Sequence, residues 1–419
     1  MTLHIFNPEH DIALAANLAN FTAPHAGRQL RHDLGFLPAL WAGDGDAIAV
    51  DDIAQAKQCF ARFSQSVKRH LGISISRQFQ WVAMRPSASW QQVGGIVPWG
   101  WDLALRARLL RCGADGQWLP SEREIAAMRL LSHRRTAAAL LPELQCAQTV
   151  GEAFECTAIT EIEDLLQRYG HIVLKAPWSS SGRGIRFVSA PSAVHSPQMP
   201  AETDNAQSNY SLSTISYEMA CWLNNLFQRQ GSVMVEPYYN KVKDFGMEFW
   251  SDGRGTVTYL GLSLFHTANG AYTGNIIATE AAKRDMMSRY LPLSLLDTVQ
   301  EKICKSLGTV FNGKYRGPFG VDMMIVHSSQ STDHSSQSTV HSSKSTVHSS
   351  QSTDQGAQPN YELCTMNYAL SLHPCVEINL RRTMGHAALA LTPTDDEVRR
   401  VMRIEYADNS YKLRLNRMK

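Results

Sequence analysis

Two apolar segments in the C-terminal third carry polar groups where a β-strand buries them. "GPFGVDMMIV" sets Asp322 among hydrophobic residues, and "PCVEINLRRTMGH" sets Glu377 and Asn379 two positions apart, so that both project from one face of a strand. A carboxylate moved from water into such surroundings is costly unless a charge compensates it. Three oxygen-bearing side chains, with Arg381 close behind, suit one or two Mg²⁺ (or Mn²⁺) ions, which take oxygen ligands and bridge phosphate oxygens. The fold therefore has to bring these two strands together around a charged site.

The connection between them is equally restrictive. Residues 327–354 are four tandem copies of a seven-residue unit, HSSQSTD, HSSQSTV, HSSKSTV and HSSQSTD. A period of seven raises the question of a coiled coil, but each unit holds at most one apolar residue, so there is no seam to bury. The tract reads as an unstructured insertion, and without a fold to fix its spacing the recurring histidine is not read as a metal site. Doubling a loop costs only about 0.6 kcal/mol, so a hairpin tip can carry it.

A chain of 419 residues exceeds one ordinary core, and two or three packed units are expected. With 44% apolar and 19% charged residues and a net charge of +2, it reads as a soluble globular protein with no bulk electrostatic case for nucleic acid or membrane partners. The eight cysteines include no pair two residues apart, so they read as reduced thiols. "MTLHIFNPEHD" reaches charged residues too early for a secretory segment, and no stretch is apolar for long enough to span a bilayer. The expected compartment is the cytoplasm.

Residues 1–118 alternate strand and helix signals. "LHIF" stops at "NPEHD", "DAIAVDD" is a short strand, and "GGIVPWGWDLALRARLLRCG" is a strand, a turn and a helix from about Asp102. An α/β unit with a ligand crevice at its strand ends follows. Ser121 with Glu124 fits a capping box that opens a second unit. Within it, "VLKAPWSSSGRGIRFV" (173–188) offers small residues whose backbone N–H groups can turn toward phosphates, with Lys175 as the cation. No Gly-Lys-Ser/Thr closes this loop, so it is not a Walker loop. Taken alone, it is as readily a serine-rich hairpin beside a surface lysine. "VMVEPYY" then ends a hydrophobic strand at Glu236, and "KVKDFGMEFW" carries Asp244 and Glu248. Each acid by itself would pass as an ordinary surface residue.

The order of these elements is what is specific. A lysine, a small-residue loop, a strand ending in Glu, an Asp strand and an E-x-N-x-R strand resemble the ATP-grasp superfamily over roughly residues 119–395. "KAPWSSSGRGIRFV" and "EINLR" look most like its biotin carboxylase and carbamoyl phosphate synthetase branch. The resemblance implies an α/β (in part α+β) protein: a pre-ATP-grasp-like domain over 1–118, then two lobes with mostly antiparallel sheets over 119–235 and 236–419, the second carrying the repeat. It implies that Lys175 contacts the α and β phosphates of ATP and that Ser179, Ser180, Ser181, Gly182 and Gly184 fold over the triphosphate. Arg134 or Arg135 in "LSHRRTAAALL" would be a further phosphate contact, with Arg135 carried forward as the site residue. Glu236 and Tyr239 would lie beside adenine, and Asp244 would accept from ribose. Asp322, Glu377 and Asn379 would ligate Mg²⁺, and Arg381 would stabilise the transferred phosphoryl group.

Two features depart from that pattern. Serines replace the branch's glycines in the loop, and Trp178 is bulky for a phosphate lid, which suits it to packing the loop base. Neither a biotin-attachment lysine motif nor a glutamine-hydrolysing domain is evident. The implied activity is a ligase that activates a small-molecule carboxylate as an acyl phosphate for capture by an amine or thiol, in a protein that could be a homodimer. A hydroxyl phosphotransferase and a non-catalytic nucleotide-binding protein are the alternatives. "NPEHD" and "PWGWD" would form the wall that reads the second substrate, unless Asn7, Asp11 and Asp102 serve only turns and helix caps.

Overall fold

The N-terminal alternation becomes a four-stranded, all-parallel sheet of β1 (Thr2–Ile5), β2 (Ala47–Val50), β3 (Gln80–Ala83) and β4 (Gly95–Pro98). The computed structural model describes residues 1–85, 92–179, 184–190, 215–268, 271–328 and 370–418. The strand order is β3-β2-β1-β4, with β2 and β4 on opposite sides of β1. The connections leaving β1 and β4 therefore diverge, which opens a crevice at the carboxyl ends of these two strands. "NPEHD" follows β1 and "PWGWD" ends β4, so both lie at that edge of the sheet. Asp102 caps the helix Leu103–Arg111 by accepting from the Leu105 N–H at 2.8 Å.

The second sheet is antiparallel and comprises β5 (Phe154–Cys156), β6 (His171–Lys175), β7 (Ile185–Ser189) and β8 (Val233–Pro237), in the order β5-β8-β6-β7. Helices Ile159–Tyr169 and Tyr217–Gln230 bury Ile162, Leu166, Leu223 and Leu226 against Ile172, Leu174, Val233 and Val235. Glu236 lies on β8, so a division of the chain between 235 and 236 falls inside a strand of this sheet. The expected capping box at Ser121 and Glu124 is present and starts the helix Glu122–Leu131.

The third sheet is antiparallel and has seven strands: β9 (Lys241–Ser251), β10 (Val257–Ala268), β11 (Ala271–Ile277), β12 (Gly317–His327), β13 (Leu370–Asn379), β14 (Arg400–Ala407) and β15 (Ser410–Arg417). Their order is β13-β12-β9-β10-β11-β14-β15. The helix Leu293–Phe311 covers one face, where Phe249 stacks on Phe319 at 5.2 Å and Phe311 meets Phe319 edge-on at 5.0 Å. β12 and β13 are hydrogen-bonded neighbours, so the repeat lies in the connection between two paired strands. His327 ends β12, and the repeat from residue 329 onward lies outside the described residues.

A shared apolar core fastens the parallel unit to the far side of the third sheet. Phe6, Leu37, Leu40 and Trp99 pack with Ala387, Leu391, Met402 and Leu415. Each large side chain buried this way contributes about 1.5–3 kcal/mol. The Arg382 N–H donates to the Trp99 carbonyl at 2.9 Å, and its guanidinium lies 4.6 Å from the Trp41 ring centre. This contact carries the ends of β1 and β4 to the end of β13. The result is a mixed α/β fold with one parallel and two antiparallel sheets, and no described helix is long and apolar enough to cross a membrane.

Candidate functional site

Strand register assembles the polar face of the third sheet. Asp322 pairs with Glu377 on one side and Gly246 on the other, and Gly320 stands between Asn379 and Glu248. Residues directly opposite in an antiparallel pair share a face, so Asp322, Glu377, Asn379 and Glu248 all project together, with Asp244 two residues before Gly246. The two glycines make room for them. A Cβ at Gly246 would stand 3.2 Å from an Asp322 carboxylate oxygen, and one at Gly320 would stand 2.7 Å from Glu248.

A chain of hydrogen bonds leads outward from this face. The Asn379 amide donates to Asp322 at 3.0 Å and accepts from Arg381 at 3.1 Å. Arg381 then grips Asp11 of the parallel unit with two bonds, of 2.6 and 2.7 Å. Burial works against an ionised Asp11, but the Arg381 guanidinium outweighs it and holds the carboxyl below its ordinary range. Asp322 goes the other way: burial first, then the neighbouring Glu377 and Glu248, push it up to about 8. Glu248 bonds to Thr383 at 2.7 Å and lies 2.9 Å from His386, which braces the short helix Met384–Leu389.

The loop base closes over this face. Arg134 donates to Glu377 at 2.8 Å, to the Ser179 hydroxyl at 2.8 Å and to the Ala176 carbonyl. The Ala176 N–H donates to the Gly184 carbonyl at 2.8 Å, so the loop begins and ends at one point. Gly184 has no room for a side chain, since a Cβ there would lie 2.5 Å from Ser179. Ser180, Ser181 and Gly182 lie outside the described residues. Trp178 packs the base: its indole N–H donates to the Arg129 carbonyl at 2.9 Å, and the Arg129 guanidinium sits 3.5 Å above its ring.

The two adjacent arginines part company. Arg134 is buried in the cleft, whereas Arg135 is half exposed and pairs with Glu155 at 2.8 Å. Successive helical residues point about 100° apart, so only one of them can face the site. Arg134, and not the expected Arg135, is the one that faces the cleft.

Lys175 and Glu236 form a buried ion pair at 2.5 Å, each side chain only 7% exposed. Tyr239 accepts from the Glu152 N–H at 3.0 Å and meets the His373 ring edge-on at 5.4 Å. Asp244 is held by Lys241 at 2.5 Å and by the Thr267 hydroxyl at 2.9 Å. The cleft that joins the three sheets is lined by His10, Asp11, Trp178, Ser179, Glu377 and Asn379, among others. Sequence reasoning missed His10; its only signal was its place in "NPEHD", directly after a strand.

Among the described residues no group of three or more His, Cys, Asp and Glu side chains is poised to hold a metal. Asp322, Glu377 and the Asn379 amide nevertheless fit Mg²⁺, which is commonly held by one or two carboxylates with phosphate oxygens and water completing its shell. A buried carboxyl pushed up to about 8 is a group that such a cation would hold ionised.

No protein-family pattern and no curated protein matches the sequence. Among solved structures, the chain is similar to an N5-carboxyaminoimidazole synthetase from Staphylococcus aureus complexed with ADP, at 13% identity and a TM-score of 0.40, covering 87% of this chain and 82% of that one. It is also similar to a biotin carboxylase from Campylobacter jejuni, at 11% identity and a TM-score of 0.43, covering 96% and 75%. D-alanyl-alanine synthetase A from Vibrio cholerae matches at 11% identity and a TM-score of 0.36, covering 68% and 85%.

Proposed function

We propose that this protein is an ATP- and Mg²⁺-dependent ligase of the ATP-grasp type, which activates a substrate carboxylate as an acyl phosphate for capture by an amine or thiol. One observation carries the reading. Asp322, Glu377 and Asn379 converge with Arg134, Ser179 and Arg381 where the chain leaves the buried Lys175 for the small-residue segment. That set of groups supports the reading of an anion-handling cleft with a cation at its floor.

In this reading ATP is a substrate. Lys175 and Arg134 hold its phosphates, Glu236 and Tyr239 flank the base, and Asp244 accepts from the ribose. Mg²⁺, when bound by Asp322, Glu377 and Asn379, supplies neutralisation of phosphate charge. The protein's own contribution is positioning and electrostatics, since phosphoryl transfer needs little covalent help. A carboxylate oxygen attacks the γ-phosphorus, the bond to ADP breaks, and Arg381 balances charge on the transferred group. The 1–118 unit supplies the wall against which the acceptor is oriented.

A mass-spectrometric screen of pooled carboxylic acids and amines with ATP and Mg²⁺ tests this. ADP should form only when both an acid and an amine or thiol are present, and Glu377→Gln should abolish it. ADP release supported by hydroxyl compounds alone would make the protein a phosphotransferase, and identical traces from the two proteins would remove the cation site.

A further inference from the structure

The loops after β1 and β4 meet in an arrangement that helix capping does not use up. One oxygen of Asp102 caps the helix Leu103–Arg111, while the other lies 3.3 Å from His10 Nδ1 and 3.2 Å from the Asn7 amide nitrogen. Asn7 also donates to the Gly100 carbonyl at 2.9 Å, which ties the two loops together. His10 and Asp102 are 3% and 2% exposed. A carboxylate oxygen accepts, so the contact is satisfied by a proton on Nδ1, the tautomer that leaves the lone pair on Nε2 in a neutral ring. Nε2 has no hydrogen-bond partner among the described residues, and His10 lines the cleft shared with Ser179, Glu377 and Asn379. Gly100 lies against the ring: a Cβ there would come within 2.6 Å of it, so a side chain at this position would expel the imidazole.

We infer that His10 is the general base of the ligase's second half-reaction and that Asp102 is its positioning residue. The inference rests on the ligase reading above. As the acceptor nitrogen attacks the acyl carbon, the N–C bond forms and the C–O bond to phosphate breaks, with the phosphate leaving on the electron pair. The surplus proton passes from nitrogen to His10 Nε2 and then to water. Asp102 from the loop after β4 is bonded to the ring, Asp11 follows it on the helix His10–Ala16, and Glu377 of β13 lines the same cleft. Arg381 and Arg134 stand behind Asp11 and Glu377, each already bonded to its carboxylate. The imidazolium formed in the step therefore has Asp102 as its direct counter-charge.

Two measurements test this. The first needs no substrate: long-range ¹⁵N NMR of histidine-labelled protein should show His10 with the proton on Nδ1 at neutral pH, and Asp102→Asn should erase that preference. A proton on Nε2 in the wild-type protein overturns the proposal, whatever becomes of the ligase reading. The second uses hydroxylamine, which is unprotonated at neutral pH and traps acyl phosphates as hydroxamates without a base. His10→Gln should lose about 100-fold or more in coupling to the amine found in the screen while hydroxamate formation changes less than about threefold. Asp102→Asn should lower kcat with the amine and shift the acidic limb of its pH profile, leaving KM for ATP in place. Equal losses with both nucleophiles, or no loss with either, overturn the assignment of His10. Absence of hydroxamate from the wild-type protein with every acid overturns the ligase reading instead.

Discussion

The Lys175–Glu236 pair offers a sharp test of how the proposed nucleotide cleft is built. Both side chains are 7% exposed and lie 2.5 Å apart, on strands β6 and β8. Glu236→Gln keeps the shape but leaves the Lys175 ammonium buried without a counter-charge. Breaking one side of a buried pair costs roughly 3–5 kcal/mol, and because the amide oxygen can still accept one hydrogen bond, a loss of about 3 kcal/mol is expected. Lys175→Met in the same background removes the stranded charge and should recover at least half of that loss. The assay is urea denaturation of the single and double variants, read by circular dichroism, with and without saturating MgADP. If phosphate takes the place of Glu236 as the partner of Lys175, MgADP should stabilise Glu236→Gln more than it stabilises the wild-type protein. A loss below about 1 kcal/mol in the single variant, with no recovery in the double, would show that the pair is hydrated and refute the reasoning.

Further expectations follow from single residues. His373 is fully buried, neither of its ring nitrogens has a hydrogen-bond partner among the described residues, and burial pushes it down to about 4. The unfolded ring takes its proton near 6.5, so stability is complete above that pH and is lost as pH falls toward about 4. His373→Phe should be about 2 kcal/mol less sensitive than the wild-type protein to a shift from pH 7 to pH 5, as read by urea midpoints; equal sensitivity would mean the ring is charged or solvated. Arg134→Met should reduce ADP formation about 100-fold while Arg135→Met stays within about threefold, because only Arg134 holds both Ser179 and Glu377; the reverse order would restore Arg135 to the cleft. Deleting residues 329–354, which removes all but the start of the repeat, should leave ATP affinity within about tenfold, or about 1.4 kcal/mol. A larger loss by calorimetry would make the tract part of the site.

What can be read along the chain is what nearest neighbours and strand periodicity control. Ser121 with Glu124 marked a helix start because a capping box closes within three residues. Glu377 and Asn379 shared a face because side chains alternate along a strand. The heptads hold too little apolar surface for a buried strand, and all but their first residue follow the end of β12. Tertiary structure alone decided the rest. Arg134 and Arg135 are indistinguishable in "SHRRTA", and only the packing of their helix turned one inward and the other toward Glu155. The Asp11–Arg381 pair joins residues 370 positions apart, and the His10–Asp102 pair joins residues 92 apart. Both depend on the apolar contact of Phe6 and Trp99 with Ala387, Leu391 and Met402, or on the parallel pairing of β1 with β4. Local sequence sets which groups a strand or helix presents. Which charge ends beside which is set by the burial of distant apolar surfaces, and that is a property of the whole fold.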